Sequence, residues 1–210
     1  MYPIFENLSK QKLIFYPCPK NANISAKFFF LKHLGTSHKV FFSNFPMHDK
    51  LNRNKEKRKF NDKIDIITVF PSYNKFKKFN ADYKCCIIRD PFERFISCYT
   101  NRILYHKDKD FKNFDIDKIL SYLIIGKFTN RHFMPQCYFL GNDLNYFEIV
   151  GDVKNLNSFT NKINNFFNKQ IDFPRIHINN IDYGISLSQE QKNKIQNIYS
   201  KDFDLYEQKK

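Results

Sequence analysis

The sequence predicts an α/β protein with a mostly parallel β-sheet flanked by helices, and three observations predict it. Short apolar runs of strand character alternate with longer runs of helical character along the chain. No internal repeat interrupts that alternation. The length of 210 residues, 42% of them hydrophobic, suits one continuous core and a single domain over 1–210. In sheets of this kind helices cover both faces, and ligands bind where the carboxyl ends of the strands meet helix N-termini.

Each element has its own signal. Residues 12–16 (KLIFY) are a short apolar strand, and residues 26–34 read as a helix stopped by Gly35. Residues 64–70 form a β-branched strand ending at Pro71. Residues 83–88 (YKCCII) read as a buried strand leading into a helix from Pro91 to about Tyr105. Residues 146–150 close a further strand before Gly151, and residues 158–168 and 188–200 carry helical periodicity.

Composition narrows the function classes. Thirty-five Lys and Arg against 21 Asp and Glu give a net charge of +14, which favours an anionic partner: nucleic acid, an acidic membrane surface, a polyanionic glycan or a phosphate-rich cofactor. Abundant Lys, Asn, Ile and Phe with no Trp are consistent with AT-biased coding, so the charge discriminates less than its size suggests. The basic run 53–59 reads as a solvated loop. Residues 1–6 lack a basic start and an apolar core, and no apolar run can span a bilayer; the expectation is a soluble, cytoplasmic protein without a transmembrane segment, compatible with peripheral membrane association. Cys18, Cys85, Cys86, Cys98 and Cys137 show no CxxC spacing, so neither a disulfide framework nor a zinc site is expected, and no metal.

Two constellations carry chemistry. The loop 17–27 joins the first strand to the first helix and presents Lys20 and Ser25 beside a helix N-terminus, whose N–H groups and dipole suit phosphate or sulfate. It lacks the G-x-x-x-x-G-K-[ST] pattern, which argues against an ordinary NTPase. Read without context, the same loop is also a plain connection with an exposed Lys. In segment 87–99, Asp90 is an N-cap, Pro91 suits the first helical position and Glu93 completes an Asp version of the capping box. Phe92, Phe95, Ile96 and Tyr99 make the apolar face. Arg89 at the strand end and Ser97 two turns into the helix then suit a phosphate dianion, the alternative being Arg89 paired with Asp90 or Glu93 and Ser97 bonded to its own helix.

These residues resemble a known family. Pro19-Lys20-Asn21-Ala22-Asn23-Ile24-Ser25 looks like the 5′-phosphosulfate loop of sulfotransferases that use 3′-phosphoadenosine 5′-phosphosulfate (PAPS). The segment from Arg89 through Ser97 to Tyr99 resembles their 3′-phosphate motif, and the order and separation of the two motifs suit the family. Asn130-Arg131-His132-Phe133-Met134-Pro135-Gln136 is similar to the Arg-His-x-x-Pro-Gln segment of the Golgi-type carbohydrate sulfotransferases, the chondroitin-type group. Residues 151–156 and 187–206 look like that group's strand end and C-terminal helix, so the resemblance runs from about Leu13 to Tyr206. Ile24 departs from the pattern, standing where Thr is common, and Asn23 stands where a small or hydroxyl residue is common.

The resemblance implies a P-loop-like sulfotransferase fold and transfer of a sulfuryl group from PAPS to a hydroxyl, with adenosine 3′,5′-bisphosphate as product. The implied acceptor is a glycan, and the surplus charge would suit an acidic one. Pro19 to Ser25 would hold the 5′ end, Arg89 and Ser97 the 3′-phosphate, and Lys20 would neutralise the leaving group. His132 is the first candidate for the general base, with His48 its competitor because it lies between the two motifs. Two other readings stay open: a basic nucleic-acid-binding module, although no RRM, KH or zinc-finger pattern is present, and a sulfotransferase fold that has lost activity through Ile24.

Overall fold

The computed structural model describes residues 2–7, 9–33, 35, 68–69, 78, 80–111, 113–127, 130–176 and 183–209. His48, the basic run 53–59, most of the strand expected at 64–70 and Pro71 lie outside the described residues.

Five strands form one sheet: β1 (Tyr2–Glu6), β2 (Lys12–Tyr16), β3 (Thr68–Val69), β4 (Tyr83–Ile88) and β5 (Ile149–Asp152), in the order β3-β1-β2-β4-β5. The parallel part is β2-β4-β5, with Leu13 opposite Tyr83 and Cys85 opposite Ile149. On the far side β1 runs antiparallel to both β2 and β3. The expected α/β fold, a parallel sheet flanked by helices, is therefore present. β1 was not legible in the sequence, because Pro3 argues against a strand with neighbours on both sides.

The helices are α1 (Asn23–His33), α2 (Pro91–Tyr99), α3 (Ile116–Ile124), α4 (Gln136–Leu140), α5 (Asn157–Phe167), α6 (Gln189–Ile198) and α7 (Ser200–Glu207). Strand alternation decides what each helix covers. Leu13, Phe15, Cys85 and Ile87 point to one face and pack with Phe29 and Phe30 of α1 and Phe159 and Ile163 of α5. Ile14, Tyr16, Cys86 and Ile88 point to the other and meet Leu140 of α4 and Leu205 and Tyr206 of α7. Both faces of β2 and β4 are thus dry, which is why these strands read as unbroken apolar runs. A third cluster joins Phe95 and Cys98 of α2 to Ile119 and Leu120 of α3, Phe133, and Ile195.

Four boundaries differ from expectation. α1 begins at Asn23 rather than at residue 26, so the end of the segment read as a loop supplies its first turn. The α-helix begun at Pro91 ends at Tyr99 and continues as a π-helical turn over Thr100–Tyr105, where the Thr100 hydroxyl bonds back to the carbonyl of Ile96. The strand expected at 146–150 starts later and includes Gly151; Leu144–Tyr146 forms a 3₁₀ turn instead. A Cβ at Gly151 would lie 2.9 Å from Leu156 and 3.0 Å from Phe159, so this glycine lets α5 close onto the sheet. The helix expected at 188–200 is two abutting helices that break at Tyr199, the first opened by a complete Ser188–Gln191 capping box.

Candidate functional site

The carboxyl ends of β2 and β4 deliver the two constellations to one place. After Tyr16 the chain turns through residues 17–22, with the Asn21 N–H donating to the Cys18 carbonyl at 3.3 Å. Lys20 and Ala22 both take left-handed backbone angles, φ +71° and +51°, which side-chain-bearing residues seldom adopt. Such local strain persists only where the surroundings hold it, and it concentrates at working sites. The first helical bond of α1 is Ala26 N–H to Ala22 O, so the N–H groups of Asn23, Ile24 and Ser25 are the orphan donors of the helix start.

β4 ends at Ile88, and Arg89 follows. Asp90 caps α2 by accepting from the N–H groups of Phe92 and Glu93 at 3.0 and 3.2 Å. Glu93 does not complete the expected box; its carboxylate turns to Lys154 at 3.3 Å and to Arg89 Nε at 3.7 Å. The Arg89–Glu93 pairing weighed from sequence thus exists, but as a long contact on a partly exposed carboxylate, where ion pairs contribute little. Arg89 Nη1 donates to the Lys20 carbonyl at 3.2 Å, while Nε is buried without a hydrogen-bond partner. Ser97 lies half-buried on α2, two turns along from Arg89.

Beneath these groups lies a buried polar frame. Gln136, at the start of α4, accepts from Asn21 Nδ2 at 2.6 Å and from the Arg89 N–H at 3.0 Å, and donates to the Arg89 carbonyl at 2.8 Å. Asn21 also donates to the Ile87 carbonyl at 2.8 Å. Asp202 of α7, fully buried, accepts from the N–H groups of Gln136 and Cys137 at 2.6 and 2.8 Å. Its carboxylate caps α4, whose preceding residue, Pro135, has no side-chain acceptor. Arg94, also buried, donates from Nε to the Pro19 carbonyl and from Nη2 to the carbonyls of His132 and Met134.

The electrostatics are those of a cationic site. Burial lowers the Lys20 ammonium to about 8, and Arg102, Arg89 and Arg94 push in the same direction, with Cys98 opposing. Burial, followed by Arg102, Arg131, Lys20 and Arg94, lowers the His132 imidazole to about 3. Lys27, one turn along α1 from Asn23, is also lowered by burial and by Arg131. Like charges gathered in a partly desolvated place repel each other, so the arrangement favours entry of a multiply charged anion.

Most sequence-predicted residues meet here. Pro19 to Ser25 form the loop and helix start, Arg89 joins Lys20 directly, and the backbone of His132 is tied through Arg94 to Pro19. The Ser25 hydroxyl is engaged, accepting from the Ile176 N–H at 3.1 Å, and the Asn21 Nδ2 is occupied within the frame while its Oδ1 is buried with no hydrogen bond. Sequence reasoning missed Arg94, Arg102 and Asp202, and assigned no role to Gln136. Arg102 pairs with Asp108 and sits on the π-helical turn, an irregularity that often marks functional positions but leaves no pattern in sequence. No group of three or more His, Cys, Asp or Glu that could hold a metal occurs among the described residues. The same residues include no helix long and apolar enough to cross a membrane.

An α/β sheet with Lys20 in one strand-end loop, a helix start beside it and Arg89 at the adjacent strand end has the chemistry to take a phosphate- or sulfate-bearing molecule. The chain belongs to the Sulfotransferase family, whose family model matches residues 8–209. It is therefore a transferase of sulfuryl groups, and its acceptor bears a hydroxyl. No curated protein and no solved structure matches the chain.

Proposed function

We propose that the protein transfers the sulfuryl group of PAPS to a hydroxyl of a carbohydrate, in the manner of the Golgi-type carbohydrate sulfotransferases that its Arg131-His132 segment resembles. The observation that carries this reading is the contact between Arg89 Nη1 and the Lys20 carbonyl, which brings the two anion-binding motifs together. The residues suit the co-substrate: Arg89 Nε is buried with no hydrogen bond and only a long ion pair to Glu93, no carboxylate is among the groups acting on Lys20, and the first three N–H groups of α1 follow Lys20 in the chain. A cytoplasmic location belongs to the same reading, since the five cysteines follow no pairing pattern.

In this reaction the acceptor oxygen forms a bond to sulfur as the bond from sulfur to the 5′-phosphate oxygen breaks, and the electron pair leaves on the phosphate. Lys20 and the N–H groups of Asn23, Ile24 and Ser25 neutralise the charge that develops there. Arg89 and Ser97 hold the 3′-phosphate and so select this nucleotide over ordinary adenylates. The neutral imidazole of His132 takes the acceptor's proton, and the negative charge of the bound nucleotide raises its basicity from the depressed value it has alone. His48 remains the other candidate for that proton.

Retention on immobilised adenosine 3′,5′-bisphosphate, with elution by the free nucleotide, followed by transfer from labelled PAPS into extracts of the source cells, tests the proposal. A labelled carbohydrate product is expected. Elution by salt alone together with no labelled product would refute it in favour of nucleic-acid binding or a silent fold.

A further inference from the structure

We infer that Arg94 is a positioning residue that holds the Lys20 loop and the His132 segment in one frame; the catalytic side of this inference rests on the function proposed above. The guanidinium is only 2% exposed, so it touches neither nucleotide nor acceptor. Its Nε donates at 3.1 Å to the carbonyl of Pro19, the residue preceding Lys20. Nη2 donates at 3.2 Å to the carbonyl of His132 and at 2.7 Å to that of Met134. One rigid, planar group thus fixes two backbone segments that are remote in sequence and carry the leaving-group cation and the candidate base.

The base of this strut is itself immobile. Arg94 N–H bonds to the Asp90 carbonyl at 2.9 Å in the first turn of α2, a helix start capped by Asp90, and the next residue, Phe95, is buried in the α2–α3–α6 cluster. One turn further on, Cys98 Sγ lies 2.8 Å from the same His132 carbonyl, so that carbonyl is held from two points of one helix. The countercharge is Asp202, buried near Arg94 and already bonded to the start of α4. Full burial of a guanidinium is costly unless its donors are satisfied, and here Nε and Nη2 are satisfied by carbonyls of the two site segments rather than by a carboxylate. A lysine ammonium retains the charge but not the fork that spans both segments.

The test compares Arg94→Lys with the parent by three measurements. Amide hydrogen exchange of residues 17–22 and 130–135, with no nucleotide present, should accelerate in both segments together by about tenfold or more, while Ile149–Asp152 of β5 stays unchanged. Affinity for adenosine 3′,5′-bisphosphate, held through Arg89, Ser97 and the charge of Lys20, all of which the variant keeps, should change by less than about threefold. Turnover with PAPS should fall by about 10- to 100-fold at an unchanged cofactor KM, because misplacement by an ångström is costly to reaction geometry. If Arg94→Lys does not fold, Arg94→Gly assayed with and without millimolar guanidinium replaces it, and partial return of turnover or exchange protection is expected. Exchange that is unchanged, or faster in one segment alone, overturns the inference whether or not the parent turns over PAPS. Parental turnover in a folded variant, or equal losses in binding and turnover, overturns its catalytic side. An inactive parent with the expected exchange pattern would instead count against the proposed function and leave the strut standing.

Discussion

Gln136 Oε1 accepts from Asn21 Nδ2 at 2.6 Å, deep between the first loop and the end of β4. The same amide makes two further bonds to the backbone of Arg89. A single side chain thereby fixes the distance between the loop that carries Lys20 and the residue that opens the second motif. Gln136→Leu removes all three bonds and leaves the Arg89 N–H and carbonyl to find water or remain unpaired. The expected loss of stability is about 1–3 kcal/mol per group left buried and unpaired, read as a lowered urea midpoint at unchanged slope.

On the proposed function, Lys20 should make nucleotide binding depend on pH in a defined direction. Its folded-state value, about 8, lies below that of the unfolded chain, so holding the charge destabilises the free protein below about pH 8 and the penalty lifts as pH rises towards the ordinary lysine range. A bound anion reverses the effect by favouring the ammonium. Binding of adenosine 3′,5′-bisphosphate should take up protons near and above pH 8, and affinity should decline as pH rises beyond it. Calorimetry in buffers of different ionisation enthalpy measures the uptake, which should vanish in Lys20→Met.

His132 is held neutral at physiological pH, lowered to about 3 by burial first and by the surrounding cations second. The free-enzyme profile of kcat/KM should therefore show no ascending limb from this group near pH 6.5, while the profile of kcat, reporting the bound state, should show one at higher pH. His132→Ala should lose about two to four orders of magnitude in turnover, the scale of general-base catalysis, with nucleotide affinity little changed. An inactive His48→Ala beside an active His132→Ala would assign the proton transfer to His48.

The parts of this fold that were legible in the sequence are those specified locally. β2 and β4 are buried on both faces and read as apolar runs, and Asp90-Pro91 announced the start of α2. Where a tertiary partner decides, the signal fails. α4 is five residues long and capped by Asp202 from the far end of the chain, so nothing near Gln136 marks it. Glu93 has the spacing of a capping box but is drawn to Lys154 and Arg89. Arg94 lies among the buried positions of α2 and has no local signal for its role, because its carbonyl partners come from two other segments. Lys20, Arg89 and the His132 segment were legible as a set because they follow a family pattern, whereas the frame that assembles them was not.

On the proposed function, Arg89 and its neighbours form a site selective for a nucleotide with a 3′-phosphate. Equilibrium binding of adenosine 3′,5′-bisphosphate and of adenosine 5′-monophosphate, measured on the parent and on Arg89→Ala, tests it most directly. The parent should favour the bisphosphate by about 10- to 100-fold, the scale of a charge-assisted pair, and Arg89→Ala should lose most of that preference while retaining its affinity for the monophosphate. Equal affinity of the parent for the two nucleotides, or a preference unchanged in a folded Arg89→Ala, would contradict it.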